Sequence, residues 1–173
     1  MKKNNGIIIS GFGGVGKTYL AKKYKNVIDL ESSPFKYDYS NQNNINHEKL
    51  KGSKNRILNK NYPENYINAI KEAIKKYDIV CVRYNGDEAV DFYDNYGLKY
   101  IVCYPTKAAY RNYIQRFKER GNSDEWIEKN KLYYEVAYKR CKNFKGKRIL
   151  LHNNETLEDA LIKRNYILIP KTK

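Results

Sequence analysis

Short apolar runs alternate with amphipathic stretches along the chain, and this alternation predicts its elements. Residues 7–10 read as a first strand, and a helix follows over 18–24 with Leu20, Ala21 and Tyr24 on one face. Residues 27–30 form a second strand. A helix opening at Pro63, a residue suited to a first helical turn, carries Tyr66, Ile67, Ile70 and Ile74 at helical spacing, and 79–84 is a third strand. A further helix is expected over 88–96, closed by Gly97 and leading to a fourth strand at 100–104 that ends at Pro105. The stripe Tyr110, Tyr113, Ile114 and Phe117 predicts a helix from 106 to 120, stopped by Gly121. A start signal at 122–125 begins a long helix with Ala137, Cys141 and Phe144 on one side. A fifth strand at 148–151 and a short helix from Thr156 through Leu161 complete the series.

Strands that alternate with helices imply right-handed crossovers and a parallel sheet covered on both faces. The expected fold is therefore α/β, a doubly wound five-stranded parallel sheet with helices on both faces, in one domain over 1–173. One stretch breaks the pattern. Residues 42–61 are polar and rich in Asn and Lys, with Ile45, Leu50, Ile57 and Leu58 as the apolar anchors, which predicts a mobile insertion. Phe35, Tyr37, Tyr62 and Tyr66 flank it, so its bounds are set at 35–62, and these rings are candidates to sandwich a base. Because the chain holds 18 tyrosines, packing is the competing account of each ring.

Composition narrows the classes. A mean hydropathy of -0.85, with no apolar run near the roughly 20 residues a bilayer crossing needs, argues against a membrane span and for a cytoplasmic protein. Cys81, Cys103 and Cys141 are far apart and lie in apolar segments, which predicts reduced core thiols. His47 and His152 stand at no metal-ligand spacing, so a protein-held zinc site is not expected. The net charge of +15 points to polyanionic partners such as nucleotides or nucleic acid. However, Lys, Asn, Ile and Tyr are the residues an AT-rich coding sequence supplies, and the positive charges are spread along the chain, so nucleic-acid binding is open without being favoured.

The chemistry concentrates in one octapeptide. Gly11, Phe12, Gly13, Gly14, Val15, Gly16, Lys17 and Thr18 satisfy every fixed position of the phosphate-loop pattern GxxxxGK[ST], with a strand predicted before it and a helix after. Glycines let successive backbone N–H groups converge on phosphate oxygens. Lys17 would bridge the β- and γ-phosphates of ATP, and the Thr18 hydroxyl would be a magnesium ligand.

Asp29 and Glu31 stand at the end of the second strand, where alternation puts both on one side and an open α/β sheet borders its ligand crevice. A carboxylate there would accept a substrate's proton or hold a magnesium-bound water; a solvated strand end is the alternative. Arg116 and Arg120, four apart on one helix, are placed to clamp a polyphosphate or else to form a solvated basic face. Arg83, near the end of the third strand, is read as a buried charge paired with a substrate phosphate or with Asp87 or Glu88.

This order of parts resembles the nucleoside monophosphate kinases, the adenylate kinase-like branch of P-loop proteins, and most of all the short nucleotide kinases of bacteriophages. The run Arg116, Phe117, Lys118, Glu119, Arg120, Gly121 is similar to that family's RxxxRG entry to its lid. The resemblance implies a lid over 116–126, Arg116 packed on the adenine of ATP, and Arg120 reaching phosphate. It also implies that backbone groups of residues such as Asn153 and Asn154 receive the adenine edge, and that 35–62 builds the acceptor site with Tyr62, Tyr66, Glu31 and Arg83 as contacts. Asp29, Leu30, Glu31 resembles the DxD of small-molecule kinases of the same branch. The third strand departs from the family, ending Arg83, Tyr84, Asn85, Gly86 where the family has an acidic DGxPR. Transfer of the γ-phosphoryl group of magnesium-bound ATP to a (deoxy)nucleoside monophosphate is the expected activity. A hydroxyl acceptor, either a nucleic-acid 5′ end or a small molecule, and a non-catalytic ATP-binding module are the alternatives.

Overall fold

The computed structural model describes residues 6–38, 56–84 and 92–172. Five parallel strands form the central sheet: β1 (Ile7–Gly11), β2 (Val27–Leu30), β5 (Ile79–Arg83), β6 (Tyr100–Pro105) and β7 (Arg148–Leu151), in the order β2-β5-β1-β6-β7. The expected α/β fold with five parallel strands is the one observed. From β1 the chain steps outward to β2, returns to β5, and then crosses to β6 and β7. The winding direction therefore reverses beside β1, and in sheets of this type the ligand crevice opens at the carboxyl ends of the strands there.

Burial holds that point in place. β1 pairs with β5 through Ile9↔Cys81 and with β6 through Ile9↔Ile101, and Ile9, Val80, Cys81, Val82, Val102 and Cys103 are all fully buried. Strands covered on both faces read as unbroken apolar runs, which is why the sequence marks them clearly. Each such aliphatic side chain contributes about 1.5–3 kcal/mol of burial, so the centre of the sheet is hard to shift and Gly11 at the end of β1 is well fixed.

Helices flank the sheet: α1 (Lys17–Lys23), α3 (Glu64–Ala73), α4 (Lys107–Glu119), α5 (Asp124–Asn143) and α6 (Leu157–Lys163), with a short α2 (Ser33–Lys36) after β2. Thr106 caps α4 by accepting from the Ala109 amide at 3.1 Å, Ser123 caps α5 through Trp126 at 3.2 Å, and Thr156 with Asp159 forms a reciprocal capping box on α6. Lys23 of α1 pairs with Glu158 of α6 at 2.7 Å, tying the two helices together.

The structure departs from the sequence reading at two places. Of the helix expected over 88–96, residues 88–91 lie outside the described residues, and Asp94–Tyr96 is a single 3₁₀ turn, closed by Gly97 at φ 68°. Tyr93 enters the core here and donates to the Arg83 carbonyl at 2.6 Å, so its burial serves a turn where an α-helix was expected. The flanks of the expected insertion at 35–62 also carry structure. β3 (Tyr37–Asp38) pairs antiparallel with β4 (Ile57–Leu58), while 39–55, and with them most of the expected mobile segment, lie outside the described residues.

All three cysteines are buried thiols. Burial pushes Cys81 up to about 12 and Cys141 up to about 11, and it raises Cys103, Tyr66, Tyr93 and Tyr134 as well. These groups stay protonated in the folded chain after their unfolded counterparts have begun to ionise. Stability is therefore fully present below about pH 9, the ordinary thiol value, and falls as pH rises toward the folded values. At pH 10 each buried thiol accounts for a loss on the order of 1 kcal/mol. The urea midpoint measured at pH 7.5 and pH 10 should drop accordingly, and equal midpoints would contradict this reading.

Candidate functional site

The glycine loop lies where the winding reverses. Its two bulky side chains point inward. Phe12 is buried, stacked on Tyr133 at 5.6 Å between ring centroids and edge-on to Tyr134 at 5.4 Å, and its amide donates to the Cys103 carbonyl at 2.9 Å. Val15 is fully buried, and its carbonyl accepts from the Leu157 amide of α6 at 3.0 Å. Anchored at 12 and 15, the loop turns its backbone outward. Gly14 has φ 84° and packs so closely on α4 that an added Cβ would sit 3.0 Å from both the Tyr113 and Phe117 rings. Gly16, at φ 104°, is the N-cap of α1 and has open space where a Cβ would be, so the loop's outer side stays uncovered.

Lys17 folds back across this loop and donates to the carbonyls of Gly11 at 2.9 Å and Phe12 at 3.2 Å. Thr18, the next residue, is exposed, and its hydroxyl donates to Asp29 Oδ2 at 2.7 Å. This contact joins the start of α1 to the end of β2. It leaves the threonine oxygen's lone pairs turned away from the carboxylate, so the pair forms a hard-oxygen donor set of the kind magnesium takes together with nucleotide phosphates. No cluster of three His, Cys, Asp or Glu side chains able to hold a metal alone exists among the described residues. The Thr18 and Asp29 oxygens fit an ion that completes its shell with other ligands.

Two cavities open on either side of Lys17 and Arg83. The smaller, about 260 Å³, is lined also by Asp29, Glu31, Ser32 and Ser33. Asp29 and Glu31 line this same cavity. The larger, about 420 Å³, runs from Gly11, Gly13 and Lys17 past Arg83 and Tyr84 at the end of β5. Its far wall is α5, through Trp126, Lys129, Asn130 and Tyr133. The Tyr133 hydroxyl donates to the Tyr84 carbonyl at 3.2 Å, and the Tyr134 hydroxyl to the Pro105 carbonyl at 2.8 Å, so α5 is pinned over the ends of β5 and β6. Burial raises Tyr84 well above the usual phenol range, so its hydroxyl stays protonated beside the cavity's cations.

Several expected contacts lie elsewhere. Tyr66 is a core residue with 0% exposure, so it is no wall of a base pocket. Its hydroxyl donates to the Leu30 carbonyl at 2.8 Å and accepts from the Arg83 amide at 3.4 Å, holding the ends of β2 and β5 side by side. Tyr62 stacks on Tyr66 at 6.4 Å, with Lys36 over its face at 5.4 Å, and lines neither cavity. Arg83 is exposed on the cleft floor, where the sequence reading had it buried, and its suggested partners Asp87 and Glu88 lie outside the described residues.

Arg116 lies with its guanidinium over the Tyr113 ring at 4.9 Å, and Arg120 is the exposed C-cap of α4. Four residues, 120–123, connect α4 to α5 through the expected lid region. One turn before Arg116, Asn112 donates to Asn154 Oδ1 at 3.1 Å, which brings that face of α4 beside the loop after β7. In that loop Asn153 and Asn154 are both exposed, Asn154 at φ 61°.

Trp126, Lys129, Asn130 and Tyr133 were not among the expected site residues. Their spacing of i, i+3, i+4 and i+7 marks one helix face and was legible. Compared with known protein families, the chain matches no family model, and a search of curated proteins gives no match.

Proposed function

We propose that this chain is an ATP-dependent phosphotransferase of the cytoplasm that moves the γ-phosphoryl group of magnesium-bound ATP to a nucleoside monophosphate. The observation that carries the reading is the placement of Lys17, on an outward-facing glycine loop, between an oxygen-rich cavity and a cationic one. Loop amides at 13–18 would cradle the β- and γ-phosphates, with Lys17 exchanging its bonds to the Gly11 and Phe12 carbonyls for phosphate oxygens. Thr18 and Asp29 would hold the magnesium ion, which supplies charge neutralisation across those phosphates. In the resemblance to nucleotide kinases, Arg116 meets the adenine and Arg120 reaches phosphate. The loop carrying Asn153 and Asn154, which α4 touches through Asn112, would take the adenine edge.

The transfer is a displacement at phosphorus. An oxygen of the acceptor phosphate forms the new P–O bond while the bond to the β-bridging oxygen breaks, and ADP departs with that electron pair. A phosphate dianion at neutral pH has no proton to lose, so catalysis is positioning and charge neutralisation.

A hydroxyl acceptor is the second reading. The observation in its favour is Asp29 beside Glu31 in the smaller cavity, where a carboxylate could take the proton a hydroxyl must lose. The test is a panel of nucleoside monophosphates, a 5′-hydroxyl oligonucleotide and small polyhydroxy acids, each incubated with Mg-ATP. A diphosphate product formed orders of magnitude faster than background hydrolysis is the expected result. Labelling of the oligonucleotide or a polyhydroxy acid alone would shift the assignment to the second reading. ATP binding with no labelled product would make the protein a nucleotide-binding module.

A further inference from the structure

The two cavities beside Lys17 differ in charge and in wall chemistry, and that difference bears on where a phosphorylated acceptor would sit. Lys17 and Arg83 line both; the smaller one adds Asp29 and Glu31, which repel a phosphate dianion. The larger one adds Lys129 to those two shared cations and has no carboxylate among its described lining. Its remaining side chains are three aromatic rings and one amide. At about 420 Å³ it has room for one nucleotide-sized ligand and not two.

Resting on the phosphotransferase reading above, we infer that this larger cavity, between the glycine loop and α5, is the acceptor site, and that it takes a nucleoside monophosphate with its base against α5. The wall is built for a flat, polar ring. Trp126 is 41% exposed although it is the chain's one tryptophan, and it is braced edge-on by Phe117 at 5.0 Å, so its free face can stack without rearrangement. One turn further along α5, Asn130 Oδ1 already accepts from the Tyr110 hydroxyl at 2.6 Å. That bond fixes the amide and leaves Nδ2 to donate to a carbonyl or ring nitrogen of a base. Arg83 and Lys129 flank the path from the base wall to Lys17 and would hold the acceptor phosphate against the γ-phosphoryl group. Lys129 is held by Glu125 at 2.6 Å on a highly exposed ion pair, which an incoming phosphate displaces at little cost. The acceptor oxygen would attack the γ-phosphorus from the α5 side of the loop, with ADP leaving on the opposite side.

Trp126 also makes the site directly observable. The intact protein, with magnesium and a non-hydrolysable β,γ-imido ATP analogue, is titrated with each nucleoside monophosphate while tryptophan fluorescence is read. At least one monophosphate should change the signal saturably. In turnover assays Trp126→Ala and Lys129→Gln should each raise the acceptor KM at least tenfold and leave the KM for ATP within twofold. Both side chains are exposed, and an unchanged thermal shift with Mg-ATP confirms that the variants fold. If a monophosphate is phosphorylated yet neither the fluorescence nor the acceptor KM of the variants moves, the acceptor binds elsewhere and the inference is overturned with the phosphotransferase reading intact. A saturable fluorescence change without product supports the site and removes the transfer reading. A panel that neither perturbs Trp126 nor is phosphorylated overturns both.

Discussion

Replacing Lys17 with alanine is expected to erase the thermal stabilisation that Mg-ATP gives the intact chain. A ligand at a hundred times its dissociation constant adds about 2.7 kcal/mol to the folded state, which in a domain of this length is about 5–10 °C in Tm. Lys17→Ala should shift by less than about 1 °C under the same conditions, because the variant loses the side chain proposed to meet the β- and γ-phosphates. The substitution also removes two hydrogen bonds, to the Gly11 and Phe12 carbonyls, so the unliganded variant will itself melt lower. Only the ligand-induced difference is diagnostic. A wild-type protein whose Tm does not respond to saturating Mg-ATP would sink the phosphotransferase reading at its base.

The parts that were legible in the sequence are those whose information is local. The strands of the sheet stand out because burial on both faces demands apolar runs, and the glycine loop because a backbone cradle can be made from few residue types. The turn at 94–96 was misread because Tyr93 and Tyr96 fit the spacing of a 3₁₀ turn as well as that of an α-helix. Tyr66 is a different case. Its place in the stripe with Ile67 and Ile70 marks it as core, and its hydroxyl is satisfied by the Leu30 carbonyl, so of the two accounts of this ring packing is the one observed. The face of α5 that lines the larger cavity has a readable period. Its position opposite Gly11 and Arg83 depends on Tyr133 and Tyr134 reaching strand ends some 30 to 50 residues distant in sequence, and no local pattern encodes that.

Asp29→Asn should separate the two acceptor chemistries. The Thr18 hydroxyl donates to Asp29 Oδ2 at 2.7 Å, a contact the isosteric amide can keep in shape through its oxygen while losing the charge. If the carboxylate's role is to support magnesium beside Thr18, the variant should bind ATP without magnesium as the parent does. Its magnesium half-saturation, read both from turnover and from the ATP-induced shift in Tm, should rise about tenfold. Turnover at low magnesium should fall about tenfold and recover substantially at high magnesium. A general base behaves differently, because added magnesium cannot take a proton from a hydroxyl acceptor. For that chemistry kcat should fall by about 10²-fold or more at every magnesium concentration, with the metal half-saturation unmoved. The phosphate-acceptor reading therefore stands on recovery with magnesium, and a loss that magnesium never restores would transfer the assignment to a hydroxyl acceptor in the cavity that Asp29 shares with Glu31.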